Sequence, residues 1–112
     1  MIDPNDVLAT LKAHHRERMA GVTAEALAVE VCGQAGPGAV RRLRAAVEAL
    51  RLAGEPVCGT PQTGYYYSER PEDIWETIEF LRGRALTSLV QLKPLKRRMA
   101  SARREQTTLF NL

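Results

Sequence analysis

The chain has 112 residues, 16 Lys and Arg against 13 Asp and Glu for a formal net charge of +3, and 45% hydrophobic residues. That length holds one modest core with at most an appendage, and the two cysteines, Cys32 and Cys58, lack the Cys or His neighbours of a zinc site, so neither a disulfide framework nor a metal is expected. No apolar run nears membrane-spanning length and no charged-then-apolar leader opens the sequence, so the expectation is a cytoplasmic chain with reduced thiols and no membrane partner. In chain order, Asp3-Pro4 is a helix start: Asp caps free N–H groups and Pro fits the first helical position. Val7, Leu8 and Leu11 follow as an apolar face, and the helix runs to about His14 or His15. These two histidines are adjacent, so on a helix they point apart and do not ligate one metal together. Arg16 to Gly21 is polar, and Val22 is placed for a single β-bridge to a later hairpin. Thr23 reads as the N-cap of a second helix that turns Leu27, Ala28 and Val31 inward and ends near Cys32-Gly33. After the Gly/Pro-rich turn Gln34-Ala-Gly-Pro-Gly38, a third helix begins at Pro37 or Gly38.

In this third helix Val40, Leu43, Val47 and Leu50 recur at three- and four-residue steps, one apolar stripe that leaves Arg41, Arg42, Ala45, Glu48 and Arg51 facing elsewhere. Gly54 stops it by accepting φ > 0. Pro56, Gly59, Pro61 and Gly64 then punctuate two short runs, Pro56–Gly59 and Tyr65–Ser68, which predict a hairpin with a four- to five-residue tip. Tyr65 and Tyr67 fall on one face of their strand and Tyr66 on the other; two of the three are expected to pack on the core with their hydroxyls reaching water.

Helix, short link, helix, turn, helix, hairpin, closing on Gly64-Tyr-Tyr-Tyr-Ser-Glu-Arg-Pro71, resembles the winged helix-turn-helix family, with a wing exit like that of the biotin-repressor type. The resemblance covers roughly residues 5–70. It implies a mainly α fold with a small β-hairpin, a partner in double-stranded DNA, and a recognition helix whose N-terminal part enters a groove. Arg41, Arg42, Arg44, Ala45 and Arg51 are then the candidate contacts, the arginines either gripping guanine edges or pairing with phosphates. Thr60, Gln62 and Thr63 at the hairpin tip are candidates for the backbone or minor groove. The turn before the third helix reads Gly33-Gln-Ala-Gly-Pro-Gly38 and lacks the hydroxyl that usually caps this helix and touches a phosphate; the tip lacks Lys or Arg.

From Pro71, Glu72 and Asp73, suited to a first helical turn, a long C-terminal helix is predicted to about Leu92, with Lys93 onward a second segment or a bent continuation. Ile74, Ile78, Leu81, Ala85, Ser88, Leu92, Leu95 and Met99 alternate steps of four and three, a heptad seam weakened by Gly83 and Pro94. Either the first half of this seam, with Trp75, packs back on the chain's own body, or a second copy covers it. Past Ala85, where a small domain has little surface left, a homodimer through Ala85, Ser88, Leu92 and Leu95 is the expectation. The resulting division is residues 1–70 as the winged domain, 71–100 as a helical dimerisation segment, and 101–112 as a flexible tail.

Charge is uneven along the chain: blocks 1–33, 34–70, 71–92 and 93–112 carry −2, +2, −2 and +5. The concentration on the third helix and the tail favours a polyanionic partner. The tail ends in Gln106, Leu109 and Phe110 behind a basic run, which resembles the short peptide that bacterial replication and repair proteins use to bind the sliding clamp. That resemblance implies Gln106 at the rim of a pocket and Leu109 and Phe110 in an apolar cleft. No phosphate loop, nucleophile elbow or metal-spaced His/Glu set is present, so no enzyme and no cofactor are expected. The sequence thus reads as a DNA-binding replication accessory or regulator from a bacterium or phage. Its rivals are a dimeric transcriptional repressor and a winged protein–protein adaptor.

Overall fold

The computed structural model describes residues 1–110 in backbone and residues 1–105 in side chains. Three helices, α1 (Pro4–His14), α2 (Ala24–Cys32) and α3 (Pro37–Leu52), precede a hairpin of β1 (Val57–Thr60) and β2 (Gly64–Tyr67), and two further helices follow, α4 (Pro71–Val90) and α5 (Leu92–Phe110). The mainly α architecture with one small hairpin and a long C-terminal helical stretch is the fold class expected from the sequence. The chain divides into two units, Met1–Ile78 and Glu79–Leu112.

In the first unit the helix ends are set by the residues that the sequence marks for them. Asp3 accepts the Asn5 amide at 2.9 Å at the start of α1, and Thr23 accepts the Ala26 amide at 3.2 Å at the start of α2. Each such cap contributes about 1 kcal/mol. The α3 terminus closes with the Gly54 amide on the Arg51 carbonyl and the Glu55 amide on the Leu50 carbonyl, with Gly54 at φ +89°, the five-to-two and six-to-one bonds of a glycine-terminated helix. The core is then assembled from one stripe of each helix: Val7 and Leu11 of α1, Leu27 and Ala28 of α2, and Ala39, Leu43, Ala46, Val47 and Leu50 of α3, with Val57 and Tyr67 from the hairpin.

The hairpin differs from expectation by one residue at each strand. The tip is Pro61, Gln62 and Thr63, three residues rather than four or five, because the Thr60 and Thr63 side chains bracket it. The Thr60 amide donates to the Thr63 hydroxyl at 3.0 Å and the Thr63 amide to the Thr60 hydroxyl at 3.3 Å, which holds the ladder through to the Thr60–Gly64 pair. Gly64, at φ +73°, sits where a Cβ would meet the Val22 backbone at 2.6 Å, so the close approach requires glycine. On its other edge β2 is covered by residues 15–22. Val22 bridges Tyr65 as expected, with amide-to-carbonyl bonds of 2.9 and 2.7 Å, and Arg16 bridges Tyr67. Neither edge of β2 is left open.

The two hairpin faces have different partners. Tyr67 packs in the helical core with Tyr65 against it. Tyr66, on the opposite face, is fully buried, and its hydroxyl has no hydrogen-bond partner in the described residues. This corrects the expectation that the tyrosine hydroxyls reach water. Burial on that face follows from the polar side of α4: the Gly59 amide donates to Thr77 at 3.0 Å, and the Ser68 hydroxyl donates to Asp73 at 2.7 Å. Asp73 and Thr77, not Ile74 and Ile78, are the buried positions of α4.

A second correction follows. Of the residues read as candidates for packing back on the body, Ile74 is half-buried, whereas Trp75 and Ile78 are 57% and 42% exposed. In the second unit α4 ends at Val90 and α5 starts at Leu92, with Pro94 in its first turn. The proline ring excludes the carbonyl four residues earlier, that of Val90, which places the break there. The stretch from Ser101 to Phe110, expected as a flexible tail, continues α5 in backbone. Its Ala, Arg, Glu and Gln are strong helix formers, and no Gly or Pro interrupts them. The side chains of Gln106, Leu109 and Phe110 lie outside the described residues.

Candidate nucleic-acid interface

The segment α2, turn, α3 presents the residues that the sequence singled out. Gly33 at φ +71° ends α2, and Gly36 at φ +97° begins α3, so two left-handed glycines make the turn. Gly36 offers no side chain to the first amides of α3, and Pro37 has no N–H; the missing hydroxyl noted in the sequence has no substitute there. The positive end of the α3 dipole is therefore uncapped by any side chain.

The apolar stripe of α3 is buried, and the opposite side is open. Arg41, Arg42, Arg44, Ala45 and Glu48 are all exposed. Arg41 and Arg44 make no hydrogen bond or ion pair among the described residues, so both guanidinium groups are available to an outside acceptor. Arg42 donates to the Gln34 side-chain oxygen at 2.8 Å, which ties the first turns of α3 to the loop before it. The bond is to a neutral group and leaves the charge of Arg42 unneutralised. Gln34 was not singled out from sequence; the loop position eight residues before an arginine carries no periodic signal.

Arg51 is placed differently from expectation. It is half-buried, its Nε donates to the Val57 carbonyl at 2.8 Å, and its guanidinium lies 5.8 Å from the centre of the Tyr65 ring. Burial pulls its pKa down. The side chain faces the hairpin because Arg51 lies in the last turn of α3, just before the chain reverses at Gly54 into β1. Arg51 joins the helix to the hairpin and does not face outward with Arg41 and Arg44.

At the hairpin tip, the Thr60 and Thr63 hydroxyls are engaged in the turn, with Thr63 also donating to the Gly64 carbonyl at 2.9 Å. Gln62 is exposed at the tip. Ala85, Ser88, Leu92 and Leu95 are exposed in the second unit. They are accompanied by Leu86, Leu89 and Val90 at 54%, 57% and 72% exposure, residues that the strict heptad seam omitted. No helix among the described residues is long and apolar enough to cross a membrane. Comparison with known proteins returns no match, whether to a protein family, a curated protein or a solved structure.

Proposed function

We propose that the chain is a winged helix-turn-helix protein that binds double-stranded DNA through the outward face of α3. The observation that carries this reading is the state of Arg41 and Arg44, exposed on the first turns of α3 with no acceptor among the described residues. Arginines on the inner core face would be costly, whereas these cost nothing folded and supply the charge and donor geometry that phosphates and guanine edges accept. Ala45 next to them keeps the middle of the face low, so the helix can approach a groove closely. Gln62 at the hairpin tip adds a polar contact beside it. Arg51 supports the interface by joining α3 to the hairpin, and Thr60 and Thr63 by closing the hairpin tip, not by touching DNA.

Two copies pair through the exposed apolar residues of the second unit, Leu81, Ala85, Leu86, Leu89, Leu92 and Leu95, with the small Ser88 among them. Seven large apolar side chains from Leu81 to Met99 stand between 40% and 72% exposed, more than a water-facing surface leaves without a partner. A pair presents two α3 helices, as a dimeric reader of DNA requires. The setting that fits is the cytoplasm of a bacterium or phage-infected cell, as a replication accessory or regulator. The replication role rests on the Gln106, Leu109 and Phe110 peptide, and deletion of residues 106–112 should abolish co-elution with a bacterial sliding clamp while leaving DNA affinity intact.

A specific observation favours a second reading, an adaptor without DNA binding. The first unit carries eight basic against eleven acidic residues, and α3 has no hydroxyl cap. Fluorescence anisotropy with labelled duplexes separates the two. Replacing Arg41 and Arg44 by Ala should weaken binding and reduce the slope of log affinity against log salt by roughly 2, about 0.9 for each phosphate no longer neutralised. Absence of binding by the native chain would favour the adaptor, and binding unchanged in the variant would refute the α3 contact.

A further inference from the structure

The formal charge of +3 conceals a division between the two units. Met1–Ile78 carries eight Lys and Arg against eleven Asp and Glu, while Glu79–Leu112 carries eight against two. Between Phe80 and Arg104 there are eight basic residues and no acidic one. Six of the eight are arginines, the side chain whose planar fork matches phosphate oxygens.

Some of this charge has a local partner. Arg82 reaches Glu79 at 3.5 Å, and Arg84 lies 5.6 Å from the centre of the Phe80 ring. Lys93, Lys96, Arg97 and Arg98 of α5 are exposed and make no hydrogen bond or ion pair among the described residues. Lys93, Lys96 and Arg97 stand at i, i+3 and i+4, so they share one side of the helix, apart from the stripe of Leu92, Leu95 and Met99. Like charges at this spacing repel, and α5 offers no carboxylate among them to offset the repulsion. Among the described residues no counter-charge relieves it, which leaves this face open to an anionic partner.

We propose that the Lys93, Lys96 and Arg97 face of α5 is a second nucleic-acid contact, one that grips duplex phosphates without regard to base sequence. The proposal takes its ligand from the reading of this chain as a DNA binder, but it does not require the α3 contact. Phosphates are favoured over bases because α5 carries no Asn or Gln from Leu92 to Glu105, the amides that read adenine edges. A nucleic acid is favoured over a lipid surface because an in-plane membrane helix needs a broad apolar face with bulky anchors. From Leu92 to Glu105, α5 has Leu92, Leu95 and Met99 and no aromatic residue. Electrostatic contacts of this kind hold a protein on DNA between specific sites and speed its arrival at them.

The test uses the full chain and fluorescence anisotropy with several labelled 24-bp duplexes of unrelated sequence, from 50 to 200 mM salt. The variant Lys93→Ala/Lys96→Ala/Arg97→Ala should lower the salt slope by roughly 3, which reduces the affinity ratio across that range by about 40-fold, equally for every duplex. Alanine is the best helix former, and circular dichroism checks that α5 persists. The charge-keeping variant Lys93→Arg/Lys96→Arg/Arg97→Lys should bind as the native chain does. A slope lowered by the α5 variant but not by Arg41→Ala/Arg44→Ala supports this proposal and refutes the α3 contact; the reverse pattern refutes this proposal alone. A slope unchanged in the α5 variant overturns it. So does binding to vesicles of 30% phosphatidylserine in phosphatidylcholine by a chain that binds no duplex.

Discussion

The Gly59 amide donates to the Thr77 hydroxyl at 3.0 Å, and through this bond the polar side of α4 is fastened to the outer face of the hairpin. The same hydroxyl donates to the Asp73 carbonyl at 3.2 Å, while the Asp73 carboxylate accepts Ser68. The consequence is an inverted helix. Because Asp73 and Thr77 are turned inward, the side bearing Trp75 and Ile78 is turned out. One buried polar contact thus determines which face of α4 remains available for association.

Thr77→Val keeps the shape of the side chain but leaves the buried Gly59 N–H without a partner. The expected loss is about 1–3 kcal/mol, the usual cost of an unsatisfied buried donor, read as a lower urea midpoint. Thr77→Ser retains the hydroxyl and should lose less than half as much. Equal losses in the two variants would mean that the methyl group, not the hydrogen bond, holds the helix.

Tyr66 offers a second check on the same face. Its buried hydroxyl has no hydrogen-bond partner among the described residues, and burial, with the nearby Asp73 carboxylate adding to it, pushes its pKa up to about 12 from an ordinary 10. The folded chain then keeps the phenol proton at a pH where the unfolded chain has released it. Stability contributed by the neutral phenol is fully present below pH 10 and is lost as pH rises towards 12. Tyr66→Phe should stabilise the chain by about 1 kcal/mol at neutral pH, since an unsatisfied hydroxyl is removed, and should flatten the decline of the urea midpoint above pH 10. Destabilisation on substitution would show that the hydroxyl is in fact satisfied.

How far these features were legible in the sequence depends on the range of the signal. Local chemistry was readable: Asp3, Thr23 and Gly54 mark helix ends with groups that act within three residues, and the α3 stripe of Val40, Leu43, Val47 and Leu50 is buried as its spacing implies. The bridge of Val22 to Tyr65 was also expected. What failed required knowledge of distant partners. Asp73 read only as part of a first helical turn and Thr77 carried no signal, because no periodicity shows that a tyrosine hydroxyl, a serine and a strand amide lie behind them. Arg51 read as another outward arginine, because its acceptor, the Val57 carbonyl, is brought near only when the chain reverses at Gly54. At the candidate interface, the exposure of Arg41 and Arg44 was legible from the stripe alone, whereas the Arg42–Gln34 bond was not.

Association through the second unit is open to direct measurement. Leu89→Glu/Leu92→Glu places charge within the exposed apolar surface, where a single chain has no buried packing to disturb. Sedimentation velocity should show a dimer for the native chain and a monomer for the variant, with circular dichroism unchanged. A native chain that sediments as a monomer throughout the micromolar range would rule the pairing out.

If the outward face of α3 meets the DNA, amide chemical shifts followed during titration with a short duplex will register it residue by residue. The amides of Gly38, Ala39, Arg41, Arg44 and Ala45 should move or broaden first, while those of the buried residues Leu27 and Val57 stay in place. Shifts that spare α3 and fall elsewhere, or a spectrum unchanged by excess duplex at low salt, would refute DNA binding through this helix.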